Sequence, residues 1–218
     1  MTRRAMTAAC AVGVAVLLVI AGLFAGIAWE NHRTEARSHE PRLVDVGFAQ
    51  DMSTHHDQAI LMAQTLSRDV EADVRGLADR IVATQTAEAA TMRGWLDWFG
   101  EPLTSNEPMS WMHPSEHDDH GSTPPMDDDS PPMPGFASSD DLAHLASARG
   151  VDAEVWFLRL MIRHHEGGIE MATAAQNSDE ASGATRRLAL AMITEQGDEI
   201  GQMTLMLKAR DAEPLPPA

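Results

Sequence analysis

Apolar residues recur at helical spacing over four long stretches of this chain, with polar residues filling the intervals. That period predicts helices over 43–66, 70–99, 152–176 and 184–209. A shorter helix is predicted over 138–148, where Ser138 and Asp141 have the spacing of a capping box. Ser67 or Asp69 can cap the second helix, and Gly100 followed by Pro102 stops it. Residues 177–183 turn the chain between the last two long helices.

The pattern is duplicated. Residues 48–63 read F-A-Q-D-M-S-T-H-H-D-Q-A-I-L-M-A, and residues 157–172 read F-L-R-L-M-I-R-H-H-E-G-G-I-E-M-A. At an offset of 109, Phe48/Phe157, Met52/Met161, His55/His164, His56/His165, Ile60/Ile169, Met62/Met171 and Ala63/Ala172 are identical. On a helix, Phe48, Asp51, Met52, His55, His56, Ala59, Met62 and Ala63 fall within about 140° of arc. This is a core-facing stripe; Gln50, Ser53, Thr54 and Asp57 lie outside it. Histidines therefore sit where an ordinary core would have leucine. The helices that follow also match. Gln85, Glu88, Met92 and Leu96 pair with Gln196, Glu199, Met203 and Leu207 at an offset of 111. The repeat unit is a helical hairpin, present twice.

Two amphipathic hairpins with short internal turns predict an all-α four-helix bundle. Duplication predicts pseudo-two-fold symmetry, with His55 and His56 facing His164 and His165 near the bundle axis. The bundle is expected over 43–210, followed by a loose tail over 211–218.

Ahead of the bundle, Arg3 and Arg4 precede an uncharged stretch over 5–29 whose apolar core is about long enough to span a bilayer. It predicts an N-terminal transmembrane helix, a signal-anchor over 1–29. The arginines set its N-terminus inside. The protein is then single-pass in the cell membrane, with its C-terminal domain outside the cytoplasm. Gly26-Ile27-Ala28 leaves open cleavage near Ala28, and with it secretion. Residues 30–42 form a tether, in which His32 and His39 read as incidental.

Charge narrows the partners. The formal net charge of -17 excludes nucleic acid and favours cations. Cys10 is the single cysteine, which excludes an internal disulfide and a C-x-x-C zinc site. The linker between the hairpins, at about 101–137, is acidic and rich in Pro, Ser and Asp, so it is predicted to be disordered without a ligand. It carries Met109, Met112, His113, His117, His120, Met126 and Met133. These are auxiliary metal ligands on one reading and part of a solvated spacer on the other.

The stripe residues suggest chemistry of their own. Thioether sulfur is a soft ligand suited to Cu(I) and Ag(I), and imidazole extends the range to Cu(II), Zn and Ni. Met52/His55 and Met161/His164 are i,i+3 pairs; Met52/His56 and Met161/His165 are i,i+4 pairs. The candidate ligands are Met52, His55, His56, Met62, Met161, His164, His165 and Met171. Asp51, Gln85, Glu88, Met92, Gln196, Glu199 and Met203 are candidates for supporting or auxiliary roles, with Glu88 and Glu199 as acceptors that orient imidazoles. A bland reading competes: buried methionine is usually filler, and the histidines could be core groups bonded to Gln85, Glu88, Gln196 and Glu199. The symmetrical combination favours a copper ion, Cu(I) first, with Ag(I) or another transition metal possible. Since unperturbed imidazole titrates near pH 6.5, affinity is expected to weaken as pH falls through about 6.

M-S-T-H-H-D-Q-A-I-L-M-A, M-P-G-F at 133–136 and F-L-R-L-M-I-R-H-H-E-G-G-I-E-M-A together resemble the signature of the domain-of-unknown-function family numbered 305. The resemblance covers about 44–207. It implies a ferritin-like helical bundle, exported or membrane-anchored, in a family with copper-associated members. Phe136 stands where the family usually has a second methionine, and Gly167-Gly168 where Gly-Ala is commoner; the second departure is expected to matter little.

No enzyme is expected. No histidine has Glu three residues before it, as a carboxylate-bridged di-iron site wants, and no nucleophile has a recognisable setting. The competing class is an envelope interaction module whose His/Glu/Gln core is purely structural. The sequence leaves open the oligomeric state and the identity of any copper-handling partner protein.

Overall fold

Helical periodicity becomes five helices in the computed structural model, which describes residues 41–112 and 132–216 with Gly26 apart from them. They are α1 (Leu43–Thr65), α2 (Ala72–Phe99), α3 (Ser139–Ser147), α4 (Gly150–Asn177) and α5 (Gly183–Lys208), with a 3-10 turn at Ser110–Met112. The described residues contain no strand, and none of their helices is long and apolar enough to cross a membrane. The predicted membrane segment lies outside the described residues, as do His113, His117, His120 and Met126.

The molecule is a helical bundle of two hairpins. α1 packs along α2, α4 along α5, and α1 against α4. α1 and α4 run antiparallel, which is why Met52 shares an apolar cluster with Met171 while Met62 shares another with Met161. The first cluster also holds Phe48, Met92 and Met192; the second holds Leu77, Ile81, Phe157, Leu158 and Met203. α2 and α5 make no comparably close backbone approach.

Local chemistry sets the ends. Ser138 and Asp141 form the predicted capping box on α3. Gly100 closes α2 in the left-handed region at φ 74°. Neither Ser67 nor Asp69 caps α2; they bond each other. The N-terminus of α2 is instead met from another helix: the Glu71 N–H donates to Glu154 Oε1 of α4 at 2.7 Å. The other hairpin repeats the device. Asp45 Oδ1 of α1 accepts from the Ser182 N–H at 2.8 Å and from the Thr185 hydroxyl at 2.6 Å, at the start of α5. Asp45 and Glu154 are 109 residues apart, the same repeat position. Each hairpin's first helix thus places a carboxylate on the orphan N–H groups and positive dipole end of the other's second helix.

The linker is ordered at both ends, contrary to the disorder its composition predicts. Asp51 accepts from the Met109 N–H (2.7 Å) and from Trp111 Nε1–H (2.9 Å), so it anchors the linker rather than supporting a metal. Trp111 packs edge-on against Phe48 at 5.7 Å and is buried. Gln50 donates to the Pro102 carbonyl at 2.7 Å. Gln50 is consequently buried although it lies outside the helical stripe. The tail is held as well: Arg159 donates to the Glu213 carbonyl at 2.8 Å, and Leu215 packs on the core. Residues 211–216 are not loose.

Candidate metal centre

Repeat symmetry brings the two histidine pairs together between the two apolar clusters. The His55 and His164 rings stack at 3.7 Å between centroids, inclined by 30°. His56, His164 and His165 are fully buried, and His55 is 1% exposed. Each outer imidazole has a carboxylate partner from the second helix of its own hairpin. His56 Nε2 and Glu88 Oε2 share a hydrogen bond of 2.8 Å; His165 Nε2 and Glu199 Oε2 share one of 2.7 Å. With the proton on Nε2, each ring leaves its Nδ1 lone pair bare.

The inner pair is unequal. His55 Nε2–H donates to the Pro134 carbonyl at 3.1 Å. His164 has no partner on either nitrogen. The difference comes from residues 133–137, a strap that crosses one side of the layer. Gln58 clamps it, donating to the Ala137 carbonyl (2.9 Å) and accepting from the Ala137 N–H (2.7 Å). Gly135, at φ 71°, passes so close to α4 that a Cβ would lie 2.3 Å from the Arg163 carbonyl. A Cβ on Gly167 would lie 2.1 Å from the Pro134 carbonyl. Phe136 closes over both inner rings, 5.9 Å from His55 and 6.2 Å from His164. At Gly168 a Cβ would meet Gln196 Oε1 at 2.4 Å, the far end of a flexible side chain, so an alanine there would need only the Gln196 amide to move aside.

Five buried imidazole nitrogens lack a hydrogen-bond partner: Nδ1 of His55, His56 and His165, and both nitrogens of His164. Gln85 Oε1 and both amide atoms of Gln196 are likewise unpartnered. These glutamines therefore do not satisfy the histidines. Orphan buried groups cost about 1–3 kcal/mol each, and here they share one layer.

Electrostatics keep three of the four imidazoles neutral. Burial, reinforced by neighbouring imidazoles, lowers His55 and His56 to about 3, and lowers His164 well below its ordinary value. Burial, then the Glu199 charge, raises Glu88 to about 7. The expected loss of metal affinity through pH 6 assumed unperturbed imidazoles. In this environment His55, His56 and His164 stay neutral far below that, so protons do not compete for these three near pH 6.

Among the described residues no three His, Cys, Asp or Glu side chains converge as a ready-made metal site. What the layer offers is bare imidazole lone pairs, with thioethers in the two apolar clusters. Met52, Met62, Met161 and Met171 are fully buried, as are the auxiliary candidates Met92 and Met203. Of the linker candidates, Met133 is buried at the foot of the strap, and Met109 and Met112 pack at the edge of the Phe48 cluster. Sequence reading missed Gln58, Pro134 and Phe136 as parts of the site. Signals were available in the M-P-G-F stretch at 133–136 and in the mismatch of Gln58 with Gly167 inside the repeat.

The profile of the family "Domain of unknown function (DUF305)" matches residues 45–207. A DUF305 protein from Streptomyces coelicolor, itself predicted to be secreted, is 35% identical, with a TM-score of 0.69 over 79% of this chain and 97% of its own. A DUF305 fragment from Deinococcus radiodurans is 30% identical, with a TM-score of 0.61 over 78% and 99%. CopM in its Cu(II)-bound form is 26% identical, with a TM-score of 0.52 over 76% and 97%. CopM has also been solved with Cu(I) and with Ag bound, at 24% and 23% identity, a likeness of fold alone. No curated protein matches this chain.

Proposed function

We propose that this chain, which belongs to the DUF305 family, is an extracytoplasmic protein that binds soft metal ions, Cu(I) first and Ag(I) as its analogue. The observation that carries the reading is the layer of five unpartnered, fully enclosed imidazole nitrogens. A neutral lone pair with no donor is costly in an apolar core, and a soft cation satisfies it. The other ring nitrogen of His56 and His165 is held by a carboxylate, and that of His55 by a carbonyl. Metal-ligating imidazoles are commonly oriented in this way. Bound copper would supply only soft Lewis acidity; the chain's own residues keep imidazole neutral, fix the tautomers and exclude water. Ions held here would draw their ligands from His55, His56, His164 and His165, with Met52 and Met171 of one cluster or Met62 and Met161 of the other.

The copper and silver complexes of CopM support this reading. Export is supported by the N-terminal apolar stretch and by the Streptomyces relative. The segment at 1–29 would anchor the protein in the membrane or release it by cleavage. The role is storage, delivery or resistance, not catalysis. The unpartnered Gln85 Oε1 and Gln196 amide argue against a core that is merely structural.

The test is anaerobic Cu(I) loading of the purified protein, followed by challenge with a Cu(I) chelator. The unaltered protein is expected to retain copper. A variant with Leu at positions 52, 62, 161 and 171 keeps packing volume similar and is expected to lose its tightest Cu(I) binding. Equal retention by that variant would make the methionines filler and refute the soft-metal reading.

A further inference from the structure

The histidine layer is sealed, so an ion needs a way in. None of the four imidazoles is more than 1% exposed. The strap closes one side with backbone against backbone at Gly135 and Gly167. On the other side, Glu88 and Glu199 touch both the layer and solvent. Their side chains are 13% and 11% exposed, and each bonds a fully buried imidazole.

Those two glutamates belong to α2 and α5, whose backbones approach each other less closely than those of the other neighbouring long helices. Over Glu199 the seam between them widens into a groove of about 570 Å³, walled by Thr194, Glu195, Asp198, Gln202 and Arg80. Arg80 is engaged by Gln202 Oε1 at 2.5 Å. Burial, then the charges of Glu88 and Glu199, raises the Glu195 carboxyl above its ordinary value. Its charge is therefore within electrostatic reach of theirs. At the inner end of this acidic line stands His165, buried, with Nδ1 unpartnered.

We propose that the α2/α5 seam is the ingress route for a soft monovalent cation. Glu195 and Asp198 dock the ion, and Glu199 and Glu88 pass it to His165 and His56. The proposal rests on the metal-binding reading above. Carboxylate oxygen is a poor partner for Cu(I) and Ag(I), which suits a docking step, since the ion is attracted without being trapped. An acidic cleft with low-dielectric walls raises local cation concentration and association rate.

The experiment measures Ag(I) loading and release of the full chain by stopped-flow exchange with a chromophoric chelator, following the tightest phase at low and high salt. The Glu195→Gln/Asp198→Asn variant alters neither the imidazoles nor their bonded carboxylates. Loading and release are both expected to slow about tenfold, with Kd unchanged and the salt dependence of loading lost. Asp198→Lys, at the solvent rim, should slow both rates further. Unchanged rates with an unchanged Kd would overturn the route and leave the metal site standing. A weakened Kd with unchanged loading would make these residues ligands and overturn the route too. No Ag(I) binding by the unaltered protein would overturn both readings.

Discussion

The two copies of the repeat part company where the linker crosses them. Gln58 in the first copy faces Gly167 in the second. Gln58 takes both backbone hydrogen bonds of Ala137, whereas Gly167 lacks a side chain where the Pro134 carbonyl rests. Likewise Asp51, which holds Met109 and Trp111, has Leu160 as its counterpart, a buried apolar residue. Positions with equal duties stay alike. Asp45 and Glu154 both cap a helix in the other hairpin, and His56–Glu88 mirrors His165–Glu199. Gln50 and Arg159 each hold the carbonyl of the segment that follows their own hairpin. Two equal surfaces meet one linker, which can cover each in only one way, so the repeat diverges there.

The harshest way to break this arrangement is Gly167→Ala. Its Cβ would press on backbone, which cannot swing away, and overpacking of this kind costs about 3 kcal/mol. Chemical denaturation should show the loss, with the His55 resonances shifting as the strap lifts. Gln58→Ala should cost about 2 kcal/mol, because the buried Ala137 N–H and carbonyl lose their partners. If the two losses in a double variant merely add, the positions do not share the strap.

The inner histidines offer a finer contrast. His164→Leu removes two orphan nitrogens and should stabilise the metal-free protein by about 1 kcal/mol. His55→Leu deprives the Pro134 carbonyl of its donor and should give no such gain. Thermal unfolding of both variants, without metal, decides the matter; equal shifts would mean that the strap does not distinguish the copies.

The pH dependence of stability probes the same layer. Below 6.5 the unfolded imidazoles take protons, while folded His55 and His56, held at about 3, do not. The unfolded state then binds more protons, so stability falls as pH drops from about 6.5 toward 3. Glu88 works in the opposite sense between its ordinary 4.5 and about 7, since the folded carboxyl holds its proton there. His164, also lowered, leaves three imidazoles against one carboxyl. The Tm of the metal-free protein should fall between pH 6 and 4, and His164→Leu should shallow the slope. A Tm that rises on acidification would contradict the burial of neutral imidazoles.

The hairpins and their stripes were legible because a 3.6-residue period and a 109-residue offset need only side-chain type. The inward position of the histidines followed from the same arithmetic. What did not follow was the covering of the outer face of α1. An acidic, proline-rich linker reads as solvated, yet Trp111 and Met133 bury themselves at its two ends. A helical wheel cannot register burial supplied by a loop, so Gln50 looked like a solvent position. Nor does it show which member of a stripe serves that loop, as Asp51 does. Titration near pH 6 was misjudged for a related reason: sequence gives the imidazole but not its desolvation.

The reciprocal carboxylates have a consequence for assembly. Asp45 reaches across to α5 as Glu154 reaches across to α2. This is the contact set of an isologous two-fold homodimer, written into one polypeptide. Joining the protomers makes their meeting unimolecular and independent of dilution. It also leaves a single connecting segment free to become asymmetric, so a molecule with two matching halves can acquire a front and a back.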